Sequence, residues 1–547
     1  MAARQTISTH AGISRRDALR FATGASAGAV LAACGAATPP IPDLSATVAP
    51  QAAKTAPAAS PAVSEPTKAA PRATGASGSP IVPPPVTQLP TDKVTFHWVD
   101  SGDAKADFFR PFFAAYSQAH ANITVQYDGL PWSEVNKLVP LGVQSGNAPD
   151  VFQIPQGLTG GQVVQQGWVL PLDDVIPDIA RWKAAFPPGS FLQGTTDFGG
   201  KTYSFPLTSN RNNGNFLLYN TDQMQQAGYD PQAKPLTWDA FRAAAKKATQ
   251  QGMGHYYGLI IGGGETSRWE NTVRVLAQTA GAAGTNDQNW KTGQYTYMAD
   301  AYVAAIELLL AMKGDGSIFP GSLSLTGPQA RAQMPQGSAT MIIEGPWNIP
   351  LWTKESPTYK FDIAMQPVPN SGPAVPLTYA PTRGWGYIYA KSKNAVVAGD
   401  IFHYLGTEAG QTQFQLFSGA GQTCTFPSAN QQPSFDPRTR RAFAMFEQTM
   451  RLGPDPGVRN PEIDKVTLEK KALTPNFGAV VQGIYTGQIT DTKKAMKDLQ
   501  DRSEAELDRA IKAAQAKGAK VTRDDWVFPN WDPMKDYTDA DYATLKK

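Results

Sequence analysis

The feature that most constrains the fold is an alternation of strand and helix that begins near residue 93. Lys93–Asp100 has the pattern of a buried strand that ends in polar residues. An amphipathic helix is predicted for Ala106–Ala119, and a second strand follows at Ile123–Tyr127. A strand, a helix and a strand at this spacing form a parallel βαβ unit. The sequence therefore predicts an α/β fold that contains a parallel sheet.

A further buried strand is predicted for Ala339–Ile343, because a β-rich apolar run is bounded there by Gly and Pro. The run breaks at Gly345–Pro346 and presents Trp347 in a turn. Loops held by a rigid scaffold often carry function, so a large aromatic side chain at this position is well placed to line a cleft. Burial of Trp347 in the core remains the alternative at this point.

Length and composition limit the class of protein. With 547 residues the chain is long enough for two to four domains. It is 41% hydrophobic with a net charge of +3, which is typical of a soluble globular protein. A nucleic-acid partner would call for a clustered basic face, and this balance of charges argues against one.

The N-terminus has the organisation of an export signal. Twin arginines, Arg15 and Arg16, precede a weakly apolar run, and the run ends at Leu31–Cys34 in a pattern that resembles a bacterial lipobox. We expect residues 1–33 to be a twin-arginine-type signal peptide that is cleaved before Cys34. Lipid modification of Cys34 would then anchor an extracytoplasmic protein to the cell membrane.

Residues 34–92 form a low-complexity segment rich in Pro and Ala. Such a segment lacks the apolar surface that would offset the entropy of ordering, so we predict a disordered tether. The second cysteine, Cys424, has no partner for an intrachain disulfide once Cys34 is modified. We predict that Cys424 is a packed small residue.

A series of short motifs follows in a specific order along the chain. They are PDVF (149–152), GWVLPLDD (167–174), GKTYSFP (200–206), FLLYNTD (216–222), TWDAF (237–241), GSATMIIEGPW (337–347), RGWGYI (383–388) and KSKN (391–394). Their order and spacing resemble those of the extracellular solute-binding proteins of sugar-type ABC importers, the group that includes the maltose-binding protein. The resemblance covers roughly residues 93–490.

The resemblance implies the two-lobe periplasmic-binding-protein fold, which is α/β with a ligand cleft between the lobes. We expect lobe 1 to comprise 93–208 and 374–422, and lobe 2 to comprise 209–373 and 423–535, with 536–547 as a tail. The polar link Thr208–Asn212 is expected to act as a hinge. The aromatic residues Trp526, Phe528 and Trp531 are expected to pack on the body.

Sugar recognition combines flat aromatic faces with planar polar side chains, because a sugar is apolar on its faces and rich in donors and acceptors at its rim. Both types of side chain occur at the loop ends where the lobes should meet. Trp347 also matches a sugar-stacking position of the family. The candidate ligand-binding residues are Trp98, Asp100, Gln153, Asn210, Asn212, Trp269, Glu344, Trp347, Arg383 and Trp385.

The function implied is that of a lipid-anchored, monomeric receptor that captures a carbohydrate by lobe closure and delivers it to the transmembrane subunits of an ABC permease. We expect no cofactor, no metal and no enzymatic activity, since no nucleophile motif is present and the five histidines show no metal-ligand spacing. Two alternatives remain open: a non-sugar solute such as glycerol phosphate, a polyamine or a peptide, and an enzyme acting on polysaccharide.

Overall fold

The structure is a computed structural model that describes residues 78–212, 215–282, 284, 287–371, 374–381 and 383–545. The expected signal peptide, Cys34 and most of the expected tether lie outside these residues. The strands are β1 (Val94–Asp100), β2 (Ile123–Gly129), β3 (Val151–Phe152), β4 (Asp197–Phe198), β5 (Lys201–Thr202), β6 (Phe216–Asn220), β7 (Tyr257–Leu259), β8 (Ala339–Glu344), β9 (Phe361–Ala364), β10 (Leu377–Tyr379), β11 (Tyr387–Ile388) and β12 (Met450–Leu452).

Helices cover the faces of the sheets. They are α1 (Ala106–Ala119), α2 (Trp132–Ser145), α3 (Gly160–Gln165), α4 (Ile179–Ala184), α5 (Thr221–Ala227), α6 (Trp238–Gly252), α7 (Thr266–Thr279), α8 (Asp300–Gly314), α9 (Gly327–Gln333), α10 (Asn348–Glu355), α11 (Ala395–Leu405), α12 (Glu408–Ser418), α13 (Pro437–Thr449), α14 (Pro456–Arg459), α15 (Ile463–Glu469), α16 (Phe477–Thr486), α17 (Thr492–Ala516) and α18 (Asp539–Ala543). None of the described helices is long and apolar enough to cross a membrane.

The first sheet has the strand order β11-β3-β1-β2, and we call this sheet with its flanking helices the first lobe. β1 pairs in parallel with both β2 and β3, which confirms the predicted βαβ unit. β11 closes one edge in antiparallel orientation. Because α1 follows β1 directly, a parallel crossover places α1 on one face of the sheet.

The second sheet has the strand order β7-β8-β6-β9, and we call this sheet with its flanking helices the second lobe. β8, the strand predicted at Ala339–Ile343, lies between β7 and β6. Alternate residues of β6 enter two different cores, with Leu217 in one and Phe216 and Leu218 in the other. The strand is therefore buried on both faces, which explains its continuous apolar sequence.

The first lobe is held together by an aromatic cluster around Trp98. The indole of Trp98 is completely buried, and its ring centroid lies 5.1 Å from Phe113 and 5.2 Å from Phe109. Both phenylalanines lie on α1, four residues apart, so they share one face of the helix. Trp385 and Phe402 complete the cluster at 5.8 and 5.7 Å.

Several local predictions are confirmed at the level of single residues. α1 has the predicted bounds. At the start of the TWDAF motif, Thr237 caps α6 by accepting a hydrogen bond from the Ala240 amide, which is a finding of the structure. Cys424 is a buried free cysteine. Trp526, Phe528 and Trp531 are each at most 4% exposed and pack in two small cores at the C-terminal end.

The chain crosses from the first lobe to the second near residue 208, is back in the first lobe at β11, and crosses to the second lobe again near residue 424. Thr208 forms an antiparallel bridge with Cys424, and the Ser209 amide donates to the Thr423 carbonyl at 2.9 Å. Nearby, β10 and β12 pair in parallel. The link that the sequence marks as a hinge is thus one strand of a small hydrogen-bonded connection.

Residues 78–92, which the sequence assigns to the tether, lie against the first lobe. The Val86 amide donates to the Asp400 carboxylate at 2.8 Å, and Asn122 donates to the Pro90 carbonyl at 2.6 Å. Val82 and Leu89 pack against the core that contains Trp98. Residues 78–92 are therefore packed on the first lobe, which differs from the disordered tether predicted for this part of the segment.

Replacing Trp98 with Ala should lower the free energy of unfolding by about 3–5 kcal/mol, because the substitution opens a cavity in a close-packed aromatic core. Urea denaturation followed by circular dichroism measures the loss. Leu141→Ala is the matched control, since Leu141 is 62% exposed and its removal should cost less than about 0.5 kcal/mol. Equal stabilities of the two variants would contradict the packing described here.

Candidate functional site

The loop that follows β1 is a compact polar turn on the first lobe. Asp100 is completely buried, and it accepts hydrogen bonds from the Gly102 amide at 2.6 Å and the Tyr127 hydroxyl at 2.9 Å. Gly102 has a φ of +63°, and a Cβ built there would lie 2.9 Å from the Gly129 carbonyl carbon. Only glycine fits this turn without displacing β2.

The same turn is tied to the loop after β3. The side-chain oxygen of Gln153 accepts from the Ser101 amide at 2.9 Å, and the Lys105 ammonium donates to the Ser101 hydroxyl at 2.8 Å. Burial raises the pKa of Asp100, and the opposing influences are led by the charge of Lys105. Asp100 and Gln153 therefore shape the first-lobe loops by hydrogen bonding within the protein.

On the second lobe, the end of β8 carries a charged cluster. Arg268 of α7 donates to Glu344 at 2.8 Å and to Glu265 at 3.2 Å. Glu265 also accepts from the Gly327 amide at 3.1 Å. A cavity of about 20 Å³, which is room for a single water molecule, adjoins Arg268 and Glu344.

Trp347 stands in the turn between β8 and α10, as predicted, and it is partly exposed. Its indole lies over Gly345, where a Cβ would come within 2.2 Å of the ring. On its other side, a Cβ built on Gly421 would lie 3.1 Å from the Trp347 Cα and 3.6 Å from the Ala104 Cβ. Trp347 therefore sits where the second lobe meets the first-lobe residues that follow β1.

Ion pairs join the lobes next to Trp347. Arg331 of α9 approaches Asp103 at 3.7 Å, and Lys354 of α10 binds both carboxylate oxygens of Asp107 at 2.7 and 2.9 Å. We call the region formed by the β1–α1 loop, the β8–α10 turn and these pairs the seam. The seam brings together the carboxyl end of β1 and the carboxyl end of β8, which is where α/β sheets place ligand-binding loops.

Three of the tryptophans proposed from sequence lie elsewhere. Trp98 and Trp385 belong to the first-lobe aromatic core, and Trp269 is completely buried in the second-lobe core. The Trp269 indole packs 4.3 Å from Tyr485 and donates to the Gly263 carbonyl at 2.9 Å. None of the three presents an open ring face to a ligand in this structure, because each side chain points to the helix-covered face of its sheet or into a helix interface.

The polar candidates at the crossings have protein partners. Asn210 donates to the carbonyls of Ala380 and Pro381 at 3.0 and 2.6 Å. Arg383 is exposed and pairs with Asp455 at 2.9 Å. Asn212 borders the undescribed pair 213–214, and its side-chain oxygen is buried without a hydrogen-bond partner among the described residues.

Sequence reasoning missed the residues that make the contacts between the lobes, namely Asp103, Asp107, Arg331 and Lys354. No local motif marks them, because their partners are distant in sequence or their neighbours form ordinary helix surface.

The possibility of a metal site can be checked against the same side chains. Across the described part of the chain, no group of three or more His, Cys, Asp or Glu side chains is arranged to hold a metal ion.

A family profile described as bacterial extracellular solute-binding protein matches residues 100–412, which is more than half of the chain. No curated protein sequence matches. Among solved structures, the chain is similar to the GacH receptor of Streptomyces glaucescens, solved unliganded and with acarbose, at 17% identity and a TM-score of 0.58 over 76% of this chain and 98% of that one.

Two further structures show the same similarity of fold. A solute-binding protein of Thermotoga lettingae bound with α-D-tagatose shares 19% identity with a TM-score of 0.59, over 76% of this chain and 100% of that one. The maltotriose-binding protein of Thermus thermophilus shares 18% identity with a TM-score of 0.55, over 77% of this chain and 100% of that one. Their two-lobe architecture agrees with the two sheets and the crossings described above.

Asp100→Asn should flatten the dependence of stability on pH. Because burial raises the pKa of Asp100 in the folded protein, its contribution to stability is fully present below the ordinary carboxyl pKa of 3.8 and is lost as the pH rises through the raised value. The asparagine cannot ionise, so the variant should gain stability relative to the parent between pH 4 and pH 7. Urea denaturation at both pH values measures the change.

The control for this experiment is Asp501→Asn, since Asp501 is exposed on α17. That variant should follow the parent at both pH values. A parallel pH dependence in the parent and in Asp100→Asn would show that Asp100 is not the buried carboxyl inferred here.

Proposed function

This chain belongs to the bacterial extracellular solute-binding proteins, and we propose that it captures a carbohydrate between its lobes as the receptor of an ABC importer. The observation that carries the proposal is the position of Trp347. Trp347 is partly exposed at the carboxyl end of β8, and Gly421 lies between its backbone and Ala104 of the segment that follows β1. An aromatic ring in an interlobe position is suited to stack on the apolar face of a sugar ring.

The solved relatives support a carbohydrate as the ligand class. The GacH receptor was solved with acarbose, the Thermotoga lettingae protein with tagatose and the Thermus thermophilus protein with maltotriose. These ligands differ in size and linkage, so the relatives favour the class of ligand rather than one sugar.

The pairing of charges favours a neutral ligand. Arg211 and Arg383 would suit a phosphate or a carboxylate, but Arg211 binds Glu447 at 2.8 Å as well as Asp536, and Arg383 binds Asp455. Arg268 is likewise paired with Glu265 and Glu344. An anionic solute would have to displace these carboxylates, whereas a neutral sugar leaves the pairs in place.

We assign different roles to the candidate residues. Trp347 is the proposed stacking contact, and Asn212 is a proposed hydrogen-bonding contact because its buried side-chain oxygen has no partner in the described chain. Asp100, Gln153, Asn210, Glu344 and Arg383 would position the surrounding loops through the bonds described above. Trp98, Trp269 and Trp385 would support the lobes from within.

Capture would follow from lobe closure. A ligand shifts the equilibrium between open and closed forms only by its difference in affinity for the two, and a closed form that contacts the solute from both lobes provides that difference. The closed, monomeric receptor would then dock on transmembrane permease subunits whose ATPase subunits are separate chains. This role is binding and delivery, in line with a family of binding proteins.

The test begins with a thermal-shift screen of the purified protein against mono- and oligosaccharides, with glycerol phosphate, polyamines and peptides as the competing classes. For a sugar that stabilises the protein, Trp347→Ala should weaken binding by about 1–3 kcal/mol, or about 5- to 150-fold in Kd, because stacking area is lost. Isothermal titration calorimetry measures the loss.

Met253→Ala serves as the control, since Met253 is 83% exposed on the second lobe and should leave the affinity unchanged. An unchanged affinity in Trp347→Ala would remove Trp347 from the site. Stabilisation by a charged solute alone would instead support the non-sugar alternative, and turnover of an oligosaccharide would support an enzyme.

We also propose that Cys34 carries the lipid that anchors the receptor to the outer side of the cell membrane. Cys34→Ser should move the protein from the membrane fraction to the soluble fraction after cell fractionation. The buried Cys424 provides the control, because Cys424→Ser leaves Cys34 in place. Retention of the Cys34→Ser protein on the membrane would contradict a lipid anchor at this residue.

A further inference from the structure

A short segment near the C-terminus contacts both lobes. We call residues 455–469, which contain α14 and α15, the bridge segment. On one side, Ile463 and Val466 share a core with Leu507 and Ile511 of α17. Helix α17 packs in turn on α16 and α8 of the second lobe, so the bridge segment is part of that lobe.

The other side of the bridge segment lies directly on the first lobe. Asp464 is buried, and its carboxylate accepts a hydrogen bond from the Thr159 hydroxyl at 3.0 Å. A Cβ built on Gly161 would lie 1.6 Å from the Asp464 carboxylate, so α15 and α3 touch through a glycine. In the same way, a Cβ on Gly194 would lie 2.2 Å from the Gly457 carbonyl oxygen.

These contacts join the lobes at places where the backbone does not cross between them. Thr159 caps α3 immediately after the loop that carries Gln153, one of the loops that end the strands of the first sheet. The bridge segment thus packs on the first lobe beside one of the loops that end the strands of its sheet.

We propose that the contact of Asp464 with Thr159 and Gly161 is a latch that holds the two lobes together before any solute is bound and opens to let the solute exchange. Among the described residues the latch has few bonds: one hydroxyl–carboxylate hydrogen bond, the Gly194–Gly457 contact, and an ion pair in which Arg383 is exposed and Asp455 is partly buried. It can therefore open without unfolding either lobe.

The charges around Asp464 make the latch sensitive to pH. Burial raises the pKa of Asp464 to about 6, opposed by the Thr159 hydrogen bond, with Asp455 raising it further and Arg383 lowering it. Tyr387 also interacts with Asp464, Glu462 and Lys465 flank it in the chain and pair with each other, and α3 carries no charged residue. At the far end of α15, the Glu469 carbonyl accepts from Arg509 of α17, and the Glu469 carboxylate pairs with Lys517.

The direction of this pKa shift determines how the strength of the latch changes with pH. A carboxyl group whose pKa is higher in the latched state than in the open state stabilises the latch when protonated. The latch is therefore strongest in acid and weakens as the pH rises through about 6. Between pH 5 and pH 7.5 the latching equilibrium should fall by about tenfold, for an open-state pKa of about 4.

Hydrogen–deuterium exchange of the purified full-length chain without ligand tests the proposal. The readout is the exchange of amides in α3 and α15 at pH 5 and pH 7.5, corrected for the intrinsic pH dependence of exchange. The parent should exchange faster at pH 7.5. Asp464→Asn should exchange as slowly at pH 7.5 as at pH 5, and Asp498→Asn, a change to an exposed carboxylate on α17, should behave as the parent.

Gly161→Ala supplies the steric test. Its methyl group cannot coexist with the Asp464 carboxylate, so α3 and α15 should exchange several-fold faster at both pH values while the core strands β1 and β8 keep their protection. Gly314→Ala is the matched control, since a Cβ there meets nothing within 4 Å. Unchanged exchange in Gly161→Ala, or the parental pH dependence in Asp464→Asn, would overturn the latch, and neither readout depends on the identity of the solute.

Discussion

Burial of the central strands of both sheets on both faces is the constraint from which the rest of the structure follows. In the second lobe, neighbouring residues of β6 point into separate cores, and in the first lobe Trp98 and Val99 of β1 do the same. A strand that is apolar on both sides cannot carry exposed polar side chains along its length. Recognition chemistry is therefore confined to the strand ends, and the β1 and β8 ends provide it.

The charged groups at those ends are arranged to neutralise one another. Arg268 is shared by Glu265 and Glu344, and the buried Glu344 also accepts from the Gly345 amide at 3.2 Å. A buried carboxylate without such partners would destabilise the folded protein, because only close ion pairing and hydrogen bonding offset the free energy of desolvation. The pairs hold the loops in place and leave Trp347 as the apolar surface between them.

Local signals in the sequence predicted much of this fold. The bounds of α1 agree with the prediction because they depend on an apolar pattern between residues that are close in sequence. The motif GKTYSFP (200–206) contains only the two-residue strand β5, and Pro206, which lacks an amide donor, cannot extend the sheet pairing. Short-range patterns thus fixed where elements lie better than how far they extend.

The burial of the tryptophan side chains in the two lobe cores could not be predicted from local signals. Trp98 and Phe96 alternate with His97 and Val99, so the period of the strand shows that Trp98 shares a face with Phe96, but not which helix covers that face. The contact between Thr159 and Asp464 joins residues 305 positions apart, and no local pattern encodes it. The sequence therefore indicated where each strand and helix lies along the chain. Which residues contact one another across the fold could be learned only from the structure.

Residues 78–92 attach the preceding part of the chain to the first lobe. Asp400 accepts from both the Val86 amide and the Tyr116 hydroxyl, so the incoming chain is fastened to the interior of that lobe. A force applied to the chain before residue 78 would therefore act on the first lobe and not on the second. A movement of the second lobe about the crossings would therefore leave the attachment of residues 78–92 unchanged.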